Sequence, residues 1–126
     1  MKAIIDNNTQ RFSLLGELLD SHRKKESSII TSFPISAISA GNYMLSIQAS
    51  KGHYCTPRQN LSSYTLYSSF EILLMKKDYS SINPKQSSKI RSFPRYSELI
   101  RSYDSRGVFG WVADDLIMDL LNYLKK

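Results

Sequence analysis

Two segments of the chain alternate between apolar and polar residues, which is the pattern of a half-buried β-strand. The apolar face of residues 43–49 holds Tyr43, Leu45, Ile47 and Ala49. The apolar face of residues 67–75 holds Phe70, Ile72 and Leu74. The pattern predicts two neighbouring strands joined by a loop over residues 50–64, which is too long for a tight hairpin turn. Because long ordered loops inside compact domains are commonly binding loops, this one is a candidate contact surface.

Helical spacing of apolar residues marks two other segments. A first helix is predicted from about Thr9 to Lys24, with an apolar stripe of Phe12, Leu15, Leu18, Leu19 and His22. A second is predicted over residues 114–124, with a stripe of Leu116, Ile117, Leu120, Leu121 and Leu124. The second helix has aspartates at its amino end and lysines at its carboxyl end, which suits the helix dipole.

The remaining segments carry weaker patterns. Residues 26–41 read as a connector in which residues 29–33 could pair as a short edge strand, and residues 78–95 read as the least ordered part of the chain. Residues 97–103 predict a short helix capped by Ser97 and ended by Gly107. Residues 108–112 predict a strand, in which Gly110 either allows close packing of its aromatic neighbours or marks a bulge.

These elements together predict a single α+β domain over residues 1–126. We expect a small antiparallel sheet of three or four strands with helices packed on one face. A chain of 126 residues is long enough to bury a core without disulfides or metal.

Composition narrows the class of protein. Hydrophobic residues make up 41% of the chain and charged residues 22%, which is typical of a globular protein and not of a disordered one. The longest apolar runs fall far short of the roughly 20 residues needed to span a bilayer, and no secretory signal is evident. With a single cysteine no internal disulfide can form, so we expect a cytosolic protein in a reducing compartment.

Positive charge is concentrated in one part of the sequence. The net charge is +6, and six cations lie close together at Lys85, Lys89, Arg91, Arg95, Arg101 and Arg106. Such a surplus favours an anionic partner, either nucleic acid or an acidic protein face. The alternative is a solvated surface that keeps the protein soluble.

The candidates for catalysis are few. Cys55 and His53 suggest a nucleophilic thiol, but side chains two apart on an extended segment lie about 7 Å apart at the backbone, and no third residue orients the imidazole. A buried, structural Cys55 is the favoured interpretation. One cysteine and two distant histidines fall short of a metal site, and no glycine-rich phosphate motif is present, so neither a metal nor a cofactor is expected.

Three side chains invite a binding role. Arg58 follows Pro57 and could bind a phosphate or a carboxylate, or it could pair with Glu71 or cap loop carbonyls inside the domain. Trp111 and Phe109 could stack on nucleic-acid bases, although a tryptophan in a short strand before an amphipathic helix is more often part of the core.

Four stretches stand out by their sequence: His53-Tyr54-Cys55-Thr56-Pro57-Arg58, Tyr64, Ser69-Phe70-Glu71-Ile72-Leu73-Leu74, and Val108-Phe109-Gly110-Trp111-Val112 leading into residues 114–124. In these stretches the chain resembles short proteins encoded in phage and plasmid accessory operons, the settings in which anti-CRISPR proteins occur. The resemblance covers residues 43–74 and 103–124. It implies a small non-enzymatic inhibitor that binds a bacterial defence complex. Many such inhibitors are acidic mimics of DNA, whereas this chain is basic, which favours contact with an acidic protein face or with the complex's bound nucleic acid.

We therefore expect a mobile-element inhibitor that blocks a CRISPR-Cas effector complex by direct, non-catalytic binding. The expected contact set is Tyr54, Arg58, Lys89, Arg91, Arg95, Arg101 and Arg106. A small basic nucleic-acid-binding accessory protein is the second hypothesis, and a cysteine-dependent enzyme is the third.

Overall fold

The structure is a computed structural model that describes residues 15–23 and 35–126. Its strands form one antiparallel sheet in the order β1-β2-β3-β4, with β1 at Ile38–Ala40, β2 at Tyr43–Gln48, β3 at Ser69–Lys76 and β4 at Phe109–Ala113. The helices are α1 over residues 15–23, α2 at Ser88–Arg91, α3 at Tyr96–Ile100 and α4 at Asp114–Lys125, and a 3-10 turn lies at Tyr64–Leu66. The predicted α+β class with a small antiparallel sheet is confirmed.

The sheet buries the apolar face that the alternation predicted. Leu45 pairs with Leu74 and Ile47 pairs with Ile72, and all four side chains are buried in one core cluster. The opposite face of β2 is also partly covered, because Gln48 is buried and its side-chain amide exchanges two hydrogen bonds with the backbone of Ile35.

Helix α4 packs against β1 and β4 and closes the core. Its predicted stripe is confirmed, since Leu116, Ile117, Leu120, Leu121 and Leu124 are all buried. Asp114 and Asp115 lie in its first turn, where carboxylates interact favourably with the helix dipole.

Strands β1 and β2 form a hairpin that the sequence analysis did not predict. Ala40 pairs with Tyr43, so the turn between them has two residues, Gly41 and Asn42. Gly41 has a φ of +61°, a conformation that glycine adopts readily, and a Cβ built there would lie 2.0 Å from the carbonyl oxygen of Leu124 in α4. The turn therefore needs glycine both for its backbone angle and for its close approach to α4.

Residues 78–95, which were predicted to be the least ordered part of the chain, contain a helix and core residues. Helix α2 lies within them, and the hydroxyl of Ser87 accepts a 3.2 Å hydrogen bond from the amide of Ile90 at its amino end. Ile90 and Phe93 are buried in the core cluster, which holds the segment against the rest of the domain. Ser97 lies inside α3 and is not its cap, because the N-cap position is Arg95.

The first predicted helix is confirmed over residues 15–23, where Leu15 and Leu19 are buried, but Leu18 of its predicted apolar stripe is exposed. Its remaining positions, including Phe12, and the possible edge strand over residues 29–33 lie outside the described residues. Within residues 15–23 and 35–126, no helix has the length and apolar character needed to cross a membrane.

Candidate functional site

The pairing between β3 and β4 is interrupted by a bulge. Phe70 pairs with Val112 and Ile72 pairs with Phe109, so Glu71 alone on β3 faces two residues, Gly110 and Trp111, on β4. The extra residue reverses the alternation along β4, and Trp111 takes a φ of +51°. Its exposed fraction is 55%, so the expectation that Trp111 belongs to the core was wrong.

The backbone of Tyr54 fills the gap that the bulge opens. The amide of Tyr54 donates a 2.8 Å hydrogen bond to Oε1 of Glu71, and the amide of Trp111 donates a 2.9 Å hydrogen bond to the carbonyl of Tyr54. A Cβ added at Gly110 would lie 3.1 Å from Cβ of Tyr54. Gly110 thus serves both of the roles considered from the sequence, since it lies in the bulge and lets an aromatic residue pack closely. The internal partner of Glu71 is the Tyr54 amide, and the expected Arg58–Glu71 pair is not formed.

Four side chains meet at this point on the surface. The rings of Tyr54 and Trp111 stack with centroids 4.8 Å apart and planes 26° apart. The guanidinium of Arg106 lies 4.3 Å from the centroid of the Tyr54 ring, and that of Arg58 lies 5.0 Å from it, both within the range of cation–π attraction. We call Tyr54, Arg58, Arg106 and Trp111 the aromatic cluster.

The two arginines of the cluster differ in their charge partners. Arg106 forms a 2.7 Å ion pair with Asp104 and donates a hydrogen bond to the hydroxyl of Tyr54. The hydrogen bond from Arg106 lowers the pKa of the Asp104 carboxyl below its usual value. Arg58 is exposed, and among the described residues its guanidinium has neither an ion pair nor a hydrogen bond. The cluster therefore presents two guanidinium groups, of which that of Arg106 has a carboxylate partner and that of Arg58 has none among the described residues.

The rest of the loop that carries Tyr54 is tied to the scaffold. Thr56 pairs with Ser69 at the start of β3, with an amide-to-carbonyl distance of 3.2 Å, and the Thr56–Pro57 peptide bond is cis. Further along the chain, the carboxylate of Asp20 in α1 accepts hydrogen bonds from the hydroxyl of Ser63 and the amide of Tyr64. These contacts hold the loop near its middle and at its carboxyl end, so the aromatic cluster is built on a fixed backbone.

Cys55 and His53 are not placed as a nucleophile and base. The Cys55 thiol is buried and donates to the carbonyls of Ser50 and Pro57, and burial raises its pKa. A thiol that is buried and protonated is a poor nucleophile. Nδ1 of His53 instead shares a 2.7 Å hydrogen bond with the hydroxyl of Ser50. The prediction that Cys55 is buried is confirmed.

One of the basic residues over 85–106, Arg95, is bound by carboxylates of the same chain. The guanidinium of Arg95 is bound by three carboxylates, those of Glu98 at 2.8 Å, Asp115 at 3.2 Å and Asp119 at 2.6 Å. These contacts join α3 to α4 and raise the pKa of Arg95, chiefly through the hydrogen bond to Glu98. Arg95 is thus occupied inside the chain.

The other predicted cations have different contacts. Lys89 lies over the ring of Tyr123, 4.6 Å from its centroid. Arg91 is exposed and reaches the carbonyl of Lys85 at 3.3 Å, and Arg101 is exposed after α3. The structure brings three residues of the predicted contact set together in the aromatic cluster, namely Tyr54, Arg58 and Arg106. The fourth member of the cluster, Trp111, was expected in the core.

Within the described part of the chain, no group of three His, Cys, Asp or Glu side chains is arranged to hold a metal ion. No protein-family model matches the chain, and neither a curated protein nor a solved structure matches it at a significant level.

Proposed function

We propose that the protein is a mobile-element inhibitor that acts in the bacterial cytoplasm by binding a CRISPR-Cas effector complex without catalysis. The observation that carries the binding role is the aromatic cluster, in which two arginines and two stacked aromatic rings lie on the surface. The choice of a defence complex as partner comes from the resemblance of residues 43–74 and 103–124 to anti-CRISPR proteins.

The residue types of the cluster support binding. Trp, Tyr and Arg are the residues most enriched among those that carry the energy of macromolecular contacts. Here a tryptophan and two arginines contact the ring of one tyrosine, Tyr54. The backbone of Tyr54 is held because its amide donates to Glu71 and its carbonyl accepts from the Trp111 amide, so little conformational freedom is lost when a partner binds.

The backbone of Trp111 supports the same conclusion. A bulky residue at positive φ is a conformational outlier, and such strained residues cost about 1–3 kcal/mol and cluster at functional sites. In this fold the strained conformation turns a large aromatic side chain to the surface, away from the core.

The experiment is a plasmid-interference assay in bacteria that carry active CRISPR-Cas systems of different types. In at least one of them, the wild-type protein should restore transformation by a targeted plasmid. The variants Trp111→Ala and Arg106→Gln should lose most of this effect, because each removes one member of the cluster. Arg101→Gln is the matched control, since it removes an exposed arginine outside the cluster and should retain full inhibition.

Circular dichroism and thermal melts of the purified variants establish that they are folded. Failure of the wild-type protein to inhibit any system in the panel would overturn the proposal. Full inhibition by the folded Trp111→Ala and Arg106→Gln variants would move the binding surface elsewhere.

A further inference from the structure

We propose that the aromatic cluster binds an unpaired nucleotide, with the base stacked on Trp111 and the phosphate held by Arg58 and Arg106. This inference rests on the proposed function, which places the contact at the cluster. It adds the chemistry that the site recognises. In an effector complex, the ligand would be a single-stranded part of the bound nucleic acid.

The first support is the geometry of the indole. Tyr54 covers Trp111 in a near-parallel stack, and more than half of Trp111 still faces solvent. A flat, supported and exposed ring is the platform on which single-stranded nucleic acids place their bases, and it accepts any base because each has a π-face. The bases of an intact duplex already stack on one another, so they are not available to such a platform.

The second support is the position of the two guanidinium groups. Both lie within 5.0 Å of the centroid of the Tyr54 ring that supports Trp111. A planar guanidinium binds phosphate through two parallel hydrogen bonds. Arg106 is oriented by Asp104, whereas Arg58 has no ion-pair partner among the residues that the structure describes. A phosphate would supply the missing negative charge.

The third support is what surrounds the cluster. A stable protein interface buries about 800 Å² on each partner around an apolar centre. The exposed large apolar side chains of the described residues are Leu18, Leu66, Tyr79 and Trp111. They lie on α1, on the 3-10 turn, after β3 and on β4, so Trp111 is the member of this set that belongs to the cluster. One exposed indole, stacked on a tyrosine ring that also carries two guanidinium groups, fits a base and its phosphate better than it fits an apolar protein surface.

The sequence contains one tryptophan, so its fluorescence reports directly on the site. We would titrate the full chain with a single-stranded DNA, with the RNA of the same sequence, and with the corresponding DNA duplex. A single strand should quench Trp111, and the duplex should bind at least tenfold more weakly. With two phosphate contacts, the affinity for the single strand should fall with salt at a log–log slope of about −1.4.

Variants test each part of the site, with binding followed by the anisotropy of a labelled strand. Trp111→Leu should weaken binding about 5- to 150-fold, whereas Trp111→Phe, which keeps a ring, should recover part of the affinity. Arg58→Gln should weaken binding and make the salt slope shallower by about 0.7. Arg101→Gln should change neither quantity. Melting curves check that every variant is folded.

Several results would overturn the inference. They are no quenching of Trp111 by the DNA strand or the RNA strand, equal affinities for the single strand and the duplex, or an unchanged affinity for the single strand in folded Trp111→Leu. In another outcome, the protein inhibits an effector that holds no nucleic acid, loses that inhibition when the cluster is substituted, and binds neither strand. That result would reject this inference and leave the proposed function standing. Cluster-dependent binding of single strands without inhibition of any effector would support this inference and reject the proposed function.

Discussion

The carboxylate of Glu71 on β3 accepts a 2.8 Å hydrogen bond from the backbone amide of Tyr54, which lies 17 residues earlier in the chain. This bond fixes the residue whose ring contacts the three other members of the aromatic cluster. Its loss should therefore affect stability and binding together.

Glu71→Ala should lower the free energy of unfolding by about 1 kcal/mol, because it leaves a partly buried amide without its acceptor. Glu71→Gln keeps a side-chain oxygen at the same place and should lose less than half as much. Urea unfolding curves measure both effects. Equal destabilisation by the two substitutions would show that the carboxylate charge, and not the hydrogen bond, is what matters.

Arg95 should contribute to folding, in contrast to the sequence-based expectation that the basic residues are free for a partner. Arg95→Ala leaves three neighbouring carboxylates without their cation and should cost about 1 kcal/mol, with a smaller loss at high salt. Arg91→Ala, at an exposed position, should change stability by less than about 0.5 kcal/mol. Thermal melts at low and high salt that show no difference between the variants would contradict this assignment.

The apolar face of α4 should dominate the attachment of that helix. Leu120→Ala should cost about 2–5 kcal/mol, because it opens a cavity at a fully buried position. Asn122→Ala on the exposed side is the matched control and should be within about 0.5 kcal/mol of wild type. Asp119 would be an unsuitable control because it binds Arg95. Comparable losses at positions 120 and 122 in chemical denaturation would contradict the observed orientation of α4.

The free energy of unfolding should decrease at high pH because of the ionisation of Tyr64. Burial raises the pKa of this phenol to about 12, from about 10 in an unfolded chain. Between these values the folded state holds the proton and the unfolded state releases it, so the free energy of unfolding decreases as the pH rises. Tyr64→Phe should remove this part of the slope. Unfolding curves measured at pH 9, 10 and 11 test it, and identical slopes for wild type and variant would exclude the role of Tyr64.

The Cys55 thiol should be protected in the folded protein. A thiol-specific reagent should label it slowly in buffer and rapidly in denaturant, because the side chain is buried and its pKa is raised. Cys55→Ser should cost about 1–2 kcal/mol and leave inhibition intact. A folded Cys55→Ser protein without activity would instead favour a cysteine-dependent enzyme.

The elements with long periodic patterns could be predicted from the sequence. Strands β2 and β3 alternate because one face packs in the core, and α4 repeats leucine at helical spacing for the same reason. Strand β1 has three residues, too few to show a period, although the Gly41-Asn42 pair before β2 is a recognised hairpin signal that could have revealed it. Helix α2, with four residues, is equally short, and its buried Ile90 and Phe93 are packed by the tertiary structure.

The candidate site was only half predictable. Tyr54, Arg58 and Arg106 were named from their loop position and charge. Trp111 was misplaced because simple alternation puts it on the same face as Phe109, which is buried. The bulge opposite Glu71 breaks that alternation, and Gly110 was its one local signal. The ion pairs of Arg95 with Asp115 and Asp119 could not be read from the sequence, since both partners lie on an element that is distant in the chain.

The approach of Gly41 to the Leu124 carbonyl has a consequence for the order of folding. The β1–β2 hairpin is local and could form early, but its turn is completed only against a helix from the far end of the described chain. Joining such distant segments requires a large loss of chain entropy before any contact compensates for it, which slows folding. The first sheet edge and the last helix should therefore become native in one cooperative step, with no stable intermediate that contains the hairpin alone.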